Sequence, residues 1–255
     1  MRKFLISLLF ILITVSVIAK EKEEIISTYK DNYFLFGNNQ DQVKFQLSVK
    51  YNLIYPSETG LYLGYTQLNH WIVYNNKDTF YTSYQPELLY RFESGKNLFN
   101  NFVIPYIDFL EFSPINHCST GIEGPLHRSM NMFYGQVQES IGDVYNFGVN
   151  VKVLGYYDIS DMNPDINKYR KNYEADVFFK LKSRTVQFLD KEEFHCTVSG
   201  NPLGNGFYQL EAKVRILTSV IQPKFYIQYF SGYTQFFQTY NQKDESLRFG
   251  LVFDI

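Results

Sequence analysis

The sequence predicts an all-β protein, a closed barrel of twelve antiparallel strands that crosses an outer membrane. Three observations carry this reading. Short segments alternate apolar and polar residues with the period of two that a strand imposes, most cleanly in VKFQLSVKYNL at 43–53. Aromatic residues make up 18% of the chain, with 22 Tyr and 24 Phe, yet mean hydropathy is negative at −0.24. Apart from the N-terminus, no stretch could span a bilayer as a helix, whereas aromatic girdles around lipid-facing strands would use such a composition. Finally, the alternating segments number twelve, and an even number closes a single-chain barrel without leaving an edge.

Residues 1–19 read as a signal peptide. Arg2 and Lys3 form its charged end, Phe4 to Val17 is almost wholly apolar, and Val17-Ile18-Ala19 suits a signal peptidase. The charged run from Lys20 to Glu24 follows, so residues 20–255 form the mature chain, a single barrel domain. Net charge is −2, which gives no sign of nucleic-acid binding. Two cysteines, Cys118 and Cys196, make no disulfide framework.

The expected strands run over 32–37, 43–54, 60–74, 80–92, 101–119, 129–140, 145–157, 170–183, 187–198, 206–217, 223–234 and 246–255. In the second, Val43, Phe45, Leu47, Val49, Tyr51 and Leu53 share the lipid face, while Lys44, Gln46, Ser48, Lys50 and Asn52 line the interior. The connections test this order. With the N-terminus in the periplasm, turns after even strands are periplasmic and short: Pro56 to Thr59, Glu93 to Asn97, Ile141 to Val144 and Arg184 to Thr185. Asp158 to Lys168 and Gln238 to Asp244 are longer, and both follow odd strands.

One hairpin departs from the pattern of an inert wall. Its first strand ends in His117 and Ser119, two residues apart and on one face. If the chain folds back about Gly124-Pro125, Asn131, fourteen residues after His117, lies opposite the imidazole, where paired side chains have Cβ atoms roughly 4.5–5.5 Å apart. A hydroxyl, an imidazole and an amide behind it are a nucleophile, a base and an orienter. Cys118 between them faces the other way, into the barrel. Polar side chains near the outer end of a lipid-facing strand are costly, which points to chemistry on lipid.

These residues and their context resemble the bacterial outer-membrane phospholipase A family. The resemblance rests on VKFQLSVKYNLI at 43–54, LGYTQLNHW at 63–71, YQPELLYRF at 84–92, the site HCSTG through RSMN at 117–131, and the final GYTQFFQTYNQKDESLRFGLVFDI, in the same order over most of the chain. It implies that Ser119 attacks the ester carbonyl of a phospholipid, that His117 takes its proton, and that Asn131 holds the His117 ring. It further implies that the Gly121 N–H donates to the oxyanion, a contact worth roughly 3–4 kcal/mol of barrier, and that Gln67 supports the nucleophile. Trp71, the single Trp, reads as an interfacial anchor.

The family also implies calcium dependence and an active homodimer. Here the sequence departs from the pattern. Gly124 and His127 stand where the family places a carboxylate and a hydroxyl, so the ligands within reach are the Ile122 carbonyl, Glu123 and His127, with Asp78 or Thr79 from the partner. Calcium prefers oxygen, and an imidazole is a poor ligand for it. The expected function is therefore hydrolysis of acyl esters of glycerophospholipids and lysophospholipids, with calcium and dimerisation as the switch. An enzyme that has lost that switch, and a non-enzymatic porin or structural barrel in which His117 and Ser119 are incidental, remain the alternatives.

Overall fold

The computed structural model describes residues 25–37, 42–54, 60–72, 79–93, 107–121, 127–182, 190–201, 203–215 and 223–253; the leader at 1–19 lies outside them. The strands are β1 (Ile26–Thr28), β2 (Asn32–Gly37), β3 (Gln42–Asn52), β4 (Gly60–Ile72), β5 (Thr79–Glu93), β6 (Phe109–Ser119), β7 (Ser129–Ile141), β8 (Tyr145–Tyr157), β9 (Tyr173–Lys182), β10 (Asp190–Ser199), β11 (Phe207–Arg215), β12 (Pro223–Gly232) and β13 (Asp244–Phe253). One short helix, α1 (Ile166–Tyr169), precedes β9.

From β2 onward each strand pairs antiparallel with its neighbour in sequence, and β13 pairs with β2, which closes the sheet on itself. The thirteen segments make a twelve-stranded barrel because β1 and β2 are two pieces of one strand. Ile26 to Thr28 pair with Tyr51 to Val49 of β3, and Tyr33 to Phe36 pair with Gln46 to Val43 of the same strand. The interruption turns three polar side chains inward. The Tyr29 hydroxyl lies 2.6 Å from that of Tyr134, Lys30 Nζ 3.1 Å from Glu87, and Lys213 Nζ 2.5 Å from Asp31. Alternation alone reveals the second piece, 32–37, and misses the first, which is only three residues long.

β6 is described from Phe109; residues 94–106, which hold the expected start of this strand at 101 and most of the turn expected at Glu93 to Asn97, lie outside the described residues. Glu93, the last described residue of β5, is the register partner of Phe109. A bulge at Ser113–Pro114 then shifts the register against both neighbours. Pro114 has no N–H to give to a ladder, and a bulge accommodates it. Ser113 lies inside this irregularity, with its hydroxyl donating to the Leu88 carbonyl at 2.9 Å.

The polarity of the barrel is the reverse of a water-soluble protein's. Along β8 the alternate residues Tyr145, Phe147, Val149, Val151 and Val153 are exposed on the outer wall. Inside, Lys44 Nζ donates to Gln228 at 2.7 Å, Arg91 pairs with Glu111 at 2.7 Å, and Lys224 pairs with Glu193 at 2.7 Å. Buried charges persist only when paired or hydrogen-bonded, and here the lumen provides both. At the outer end, the segment after β12 folds into the mouth. Phe236 stacks on His70 with ring centroids 3.8 Å apart, and the Gln238 amide donates to the Thr82 carbonyl at 2.5 Å. Phe237 and Tyr240 join Ile166 of α1 in an apolar cluster against Cys118, Met130, Met132 and Tyr134. Side chains and a loop narrow the described lumen around a cavity lined by Lys44, Gln85, Arg170, Glu174 and Gln235 among others, which is the arrangement of a plugged barrel rather than an open pore. Cys118 is buried, as its parity requires; Cys196 is exposed on the outer wall, and neither forms a disulfide.

Candidate active site on the outer wall

The β6–β7 hairpin sets the site by its register. His117 pairs with Asn131, Cys118 with Met130, and Ser119 with Ser129. This is the pairing that a fold about Gly124-Pro125 requires, although 122–126 lie outside the described residues. The Thr120 N–H donates to the Arg128 carbonyl, and the Arg128 N–H to the Thr120 hydroxyl, both at 3.0 Å, holding the two strands together beyond the last ladder pair. Because inward and outward residues alternate, His117, Ser119 and Asn131 share the lipid-facing wall, while Cys118 and Met130 pack into the lumen.

His117 Nδ1 lies 2.8 Å from Asn131 Oδ1. The amide oxygen can only accept, so Nδ1 carries the proton and Nε2 keeps the lone pair a base needs. The Asn131 Nδ2 in turn donates to Asp158 Oδ2 at 2.9 Å, which fixes the amide so that its oxygen faces the ring. Asp158 immediately follows Tyr157, the β8 register partner of Asn131. Sequence reasoning takes Asp158 only as the start of a loop. Its role becomes visible once the β7–β8 register is known.

Ser119 Oγ accepts the Gly121 N–H at 3.3 Å. Among the described residues, no hydrogen bond joins Ser119 to the His117 ring; catalytic hydrogen bonds commonly tighten only when substrate is bound. Gly121 has φ of 62°, and a Cβ there would run into the ring of Tyr84. Both facts demand glycine. Tyr84 is the β5 partner of Ser119 and covers the nucleophile's flank, a contact that motif reading misses because it comes from another strand.

Gln67 lies on the same wall but does not touch Ser119. It pairs with Tyr84, which stands between them, and two strand spacings make the separation about 10 Å. Its amide oxygen accepts the Tyr65 hydroxyl at 3.1 Å, and its Nε2 donates to Asn69 at 3.0 Å. Trp71 is one residue from the outer end of β4, where an interfacial anchor belongs.

The calcium ligands expected from the sequence fall mostly outside the described residues. Ile122, Glu123 and Asp78 lie outside the described residues, and so does Gly124. His127 is described, partly buried beside Arg128, and offers nitrogen rather than oxygen. Among the described residues, no group of three His, Cys, Asp or Glu could hold a metal ion.

Fold and site together define an outer-membrane β-barrel with a hydroxyl–imidazole–amide constellation on its lipid-facing wall. The chain belongs to the phospholipase A1 family, whose sequence model matches residues 7–253. It is 28% identical to the phospholipase A1 of Klebsiella pneumoniae over 219 residues, covering 84% of this chain and 70% of that one. The Salmonella typhimurium phospholipase A1 is 27% identical over 236 residues, covering 90% and 74%. Among solved structures, the outer membrane phospholipase A of Escherichia coli superposes with a TM-score of 0.72 at 23% identity, covering 89% of this chain and 98% of that one. A Salmonella typhi outer membrane phospholipase, solved as a dimer with bound calcium, gives 0.71 at 23% identity, covering 89% and 92%.

Proposed function

We propose that this protein hydrolyses acyl ester bonds of glycerophospholipids, and of lysophospholipids, at the outer rim of its wall. The observation that carries the reading is the His117–Asn131 pair, 2.8 Å apart, on the same lipid-facing surface as Ser119. An aqueous pocket would not need a nucleophile on the outside of a barrel, whereas an ester held in a membrane leaflet meets one there.

In this reading Ser119 Oγ bonds to the ester carbonyl carbon while His117 Nε2 takes the hydroxyl proton. The Gly121 N–H, already aimed at Ser119 Oγ, lies beside the oxygen that gains negative charge. Collapse breaks the bond to the glycerol oxygen, which leaves with the proton from His117. Water then attacks the acyl-serine, again giving its proton to His117, and fatty acid and free Ser119 result. Asn131 holds the imidazole in one tautomer throughout.

Activation by calcium and dimerisation belongs to the same proposal. The support is the calcium-bound Salmonella typhi dimer; this chain's described residues give it none, and no step above passes through a metal. The test is fatty-acid release from phospholipid by detergent-refolded protein, with Ser119→Ala beside it, in calcium and in EDTA. Release by wild type and not by Ser119→Ala supports the reaction and its nucleophile. Arrest by EDTA supports the switch, and equal rates in both remove calcium from the account. Absence of release by well-folded wild type in both conditions refutes the enzyme.

A further inference from the structure

The third position of the site is a neutral amide, although a carboxylate there would stabilise the imidazolium that forms during reaction far better. The negative charge is present, one residue further out. His117 Nδ1 donates to Asn131 Oδ1 at 2.8 Å, and Asn131 Nδ2 donates to Asp158 Oδ2 at 2.9 Å. A carboxylate on the N–H end of an amide draws the N–H proton toward itself and leaves more electron density on the amide oxygen, the atom His117 uses. It also decides which way the amide faces, because the flipped rotamer would point oxygen at oxygen.

Asp158 is held for this contact. Its φ is 49°, a left-handed conformation that non-glycine residues adopt rarely and Asp more readily than most. This turn carries the chain off β8 and along β7. Past it, the Ser160 N–H donates to the Ser129 carbonyl at 3.0 Å, and Asn163, fully buried, accepts the Ser129 N–H at 3.2 Å through its side chain. The segment 158–163 thus straps the start of the catalytic strand on both sides of one residue, and Asp158 is the end of that strap that reaches Asn131.

We infer that Asp158 is a positioning residue of the reaction, supplying to His117 through the Asn131 amide the negative charge that an Asp in the third position would supply directly. The inference rests on the Ser119–His117 reading above. Its test is a charge exchange, read as kcat and KM for fatty-acid release in saturating calcium, with heat-modified gel mobility to establish that each barrel is closed. Asp158→Ala should lower kcat about tenfold with KM changed less than about twofold. Asn131→Asp should also be slow, because two carboxylates would face each other at hydrogen-bond distance. The double variant Asn131→Asp/Asp158→Asn should be faster than either single one, since it restores one charge and one amide in exchanged places.

A wild-type kcat in Asp158→Ala overturns the inference, as does a double variant no faster than the slower of its two parents. Recovery of Asp158→Ala by raising calcium further also overturns it, since Asp158 would then be acting on an ion. Ser119→Ala run alongside separates the two readings. If it hydrolyses as wild type does, the serine mechanism has failed; if it is inactive while Asp158→Ala turns over at the wild-type rate, only the role of Asp158 has.

Discussion

Gly121 shows how little room the site leaves at the scale of single residues. Its φ of 62° would cost another residue about 1–2 kcal/mol, and the Tyr84 ring excludes a Cβ as well. Gly121→Ala is therefore expected to move the N–H beside Ser119 and to lower turnover at least about tenfold. Adding Tyr84→Ala should recover only part of that loss, because it removes the steric conflict and leaves the backbone strain. Turnover of the two variants, measured together, checks this; full recovery would mean that the ring alone requires glycine. Asn131→Ala should reduce kcat by about 10- to 100-fold, less than Ser119→Ala, because His117 Nε2 remains to act as base in a ring no longer held. The placement of His117, Ser119 and Asn131 on one wall is legible in the sequence because strand periodicity and one turn fix their pairing. Asp158 and Tyr84 are not, since each reaches the site from a neighbouring strand whose register a single sequence leaves open.

At the scale of elements, the strands were readable wherever alternation persisted for ten residues or so, and boundaries failed where another force intervened. β1 escapes notice because its three residues are too few to show a period, and the break after it exists to bring Tyr29, Lys30 and Asp31 into the lumen. The bulge at Ser113–Pro114 displaces the lower half of β6 relative to the half bearing His117 and Ser119. Beneath that upper half, the Tyr134 hydroxyl lies 2.9 Å from both Glu87 and Glu111, which compete for its one proton, and meets the Tyr29 hydroxyl. Glu87 also accepts from Asn116, the residue before His117, at 2.9 Å. Tyr134→Phe leaves those buried acceptors short of a donor, so it should destabilise the barrel by about 1–3 kcal/mol. Unfolding in denaturant measures this directly, and an unchanged midpoint would show that the network is not shared as described.

The described molecule is a lipid-facing wall around an interior of paired charges and packed side chains. Its outward apolar strands and inward paired charges place it in the outer membrane, and the 233–243 segment with α1 closes the outer mouth. In a planar bilayer the protein should therefore carry no steady ionic current; a stable open conductance would revive the porin reading. Closure has a consequence for chemistry, because water and substrate must then reach Ser119 from outside the barrel. Barrel closure, strand number and the outer position of the hairpin all follow from pattern and parity along the sequence. The plug does not, because Phe236, Phe237 and Tyr240 look like any aromatic loop until the fold turns them inward.

The most direct measurement is the mapping of a covalent adduct. Detergent-refolded protein treated with a long-chain alkyl sulfonyl fluoride, digested and analysed by mass spectrometry, should carry one sulfonyl group, on Ser119, with fatty-acid release lost in proportion to labelling. An adduct on another residue, or an unlabelled Ser119 in protein that still hydrolyses phospholipid, would contradict the site assigned to this wall.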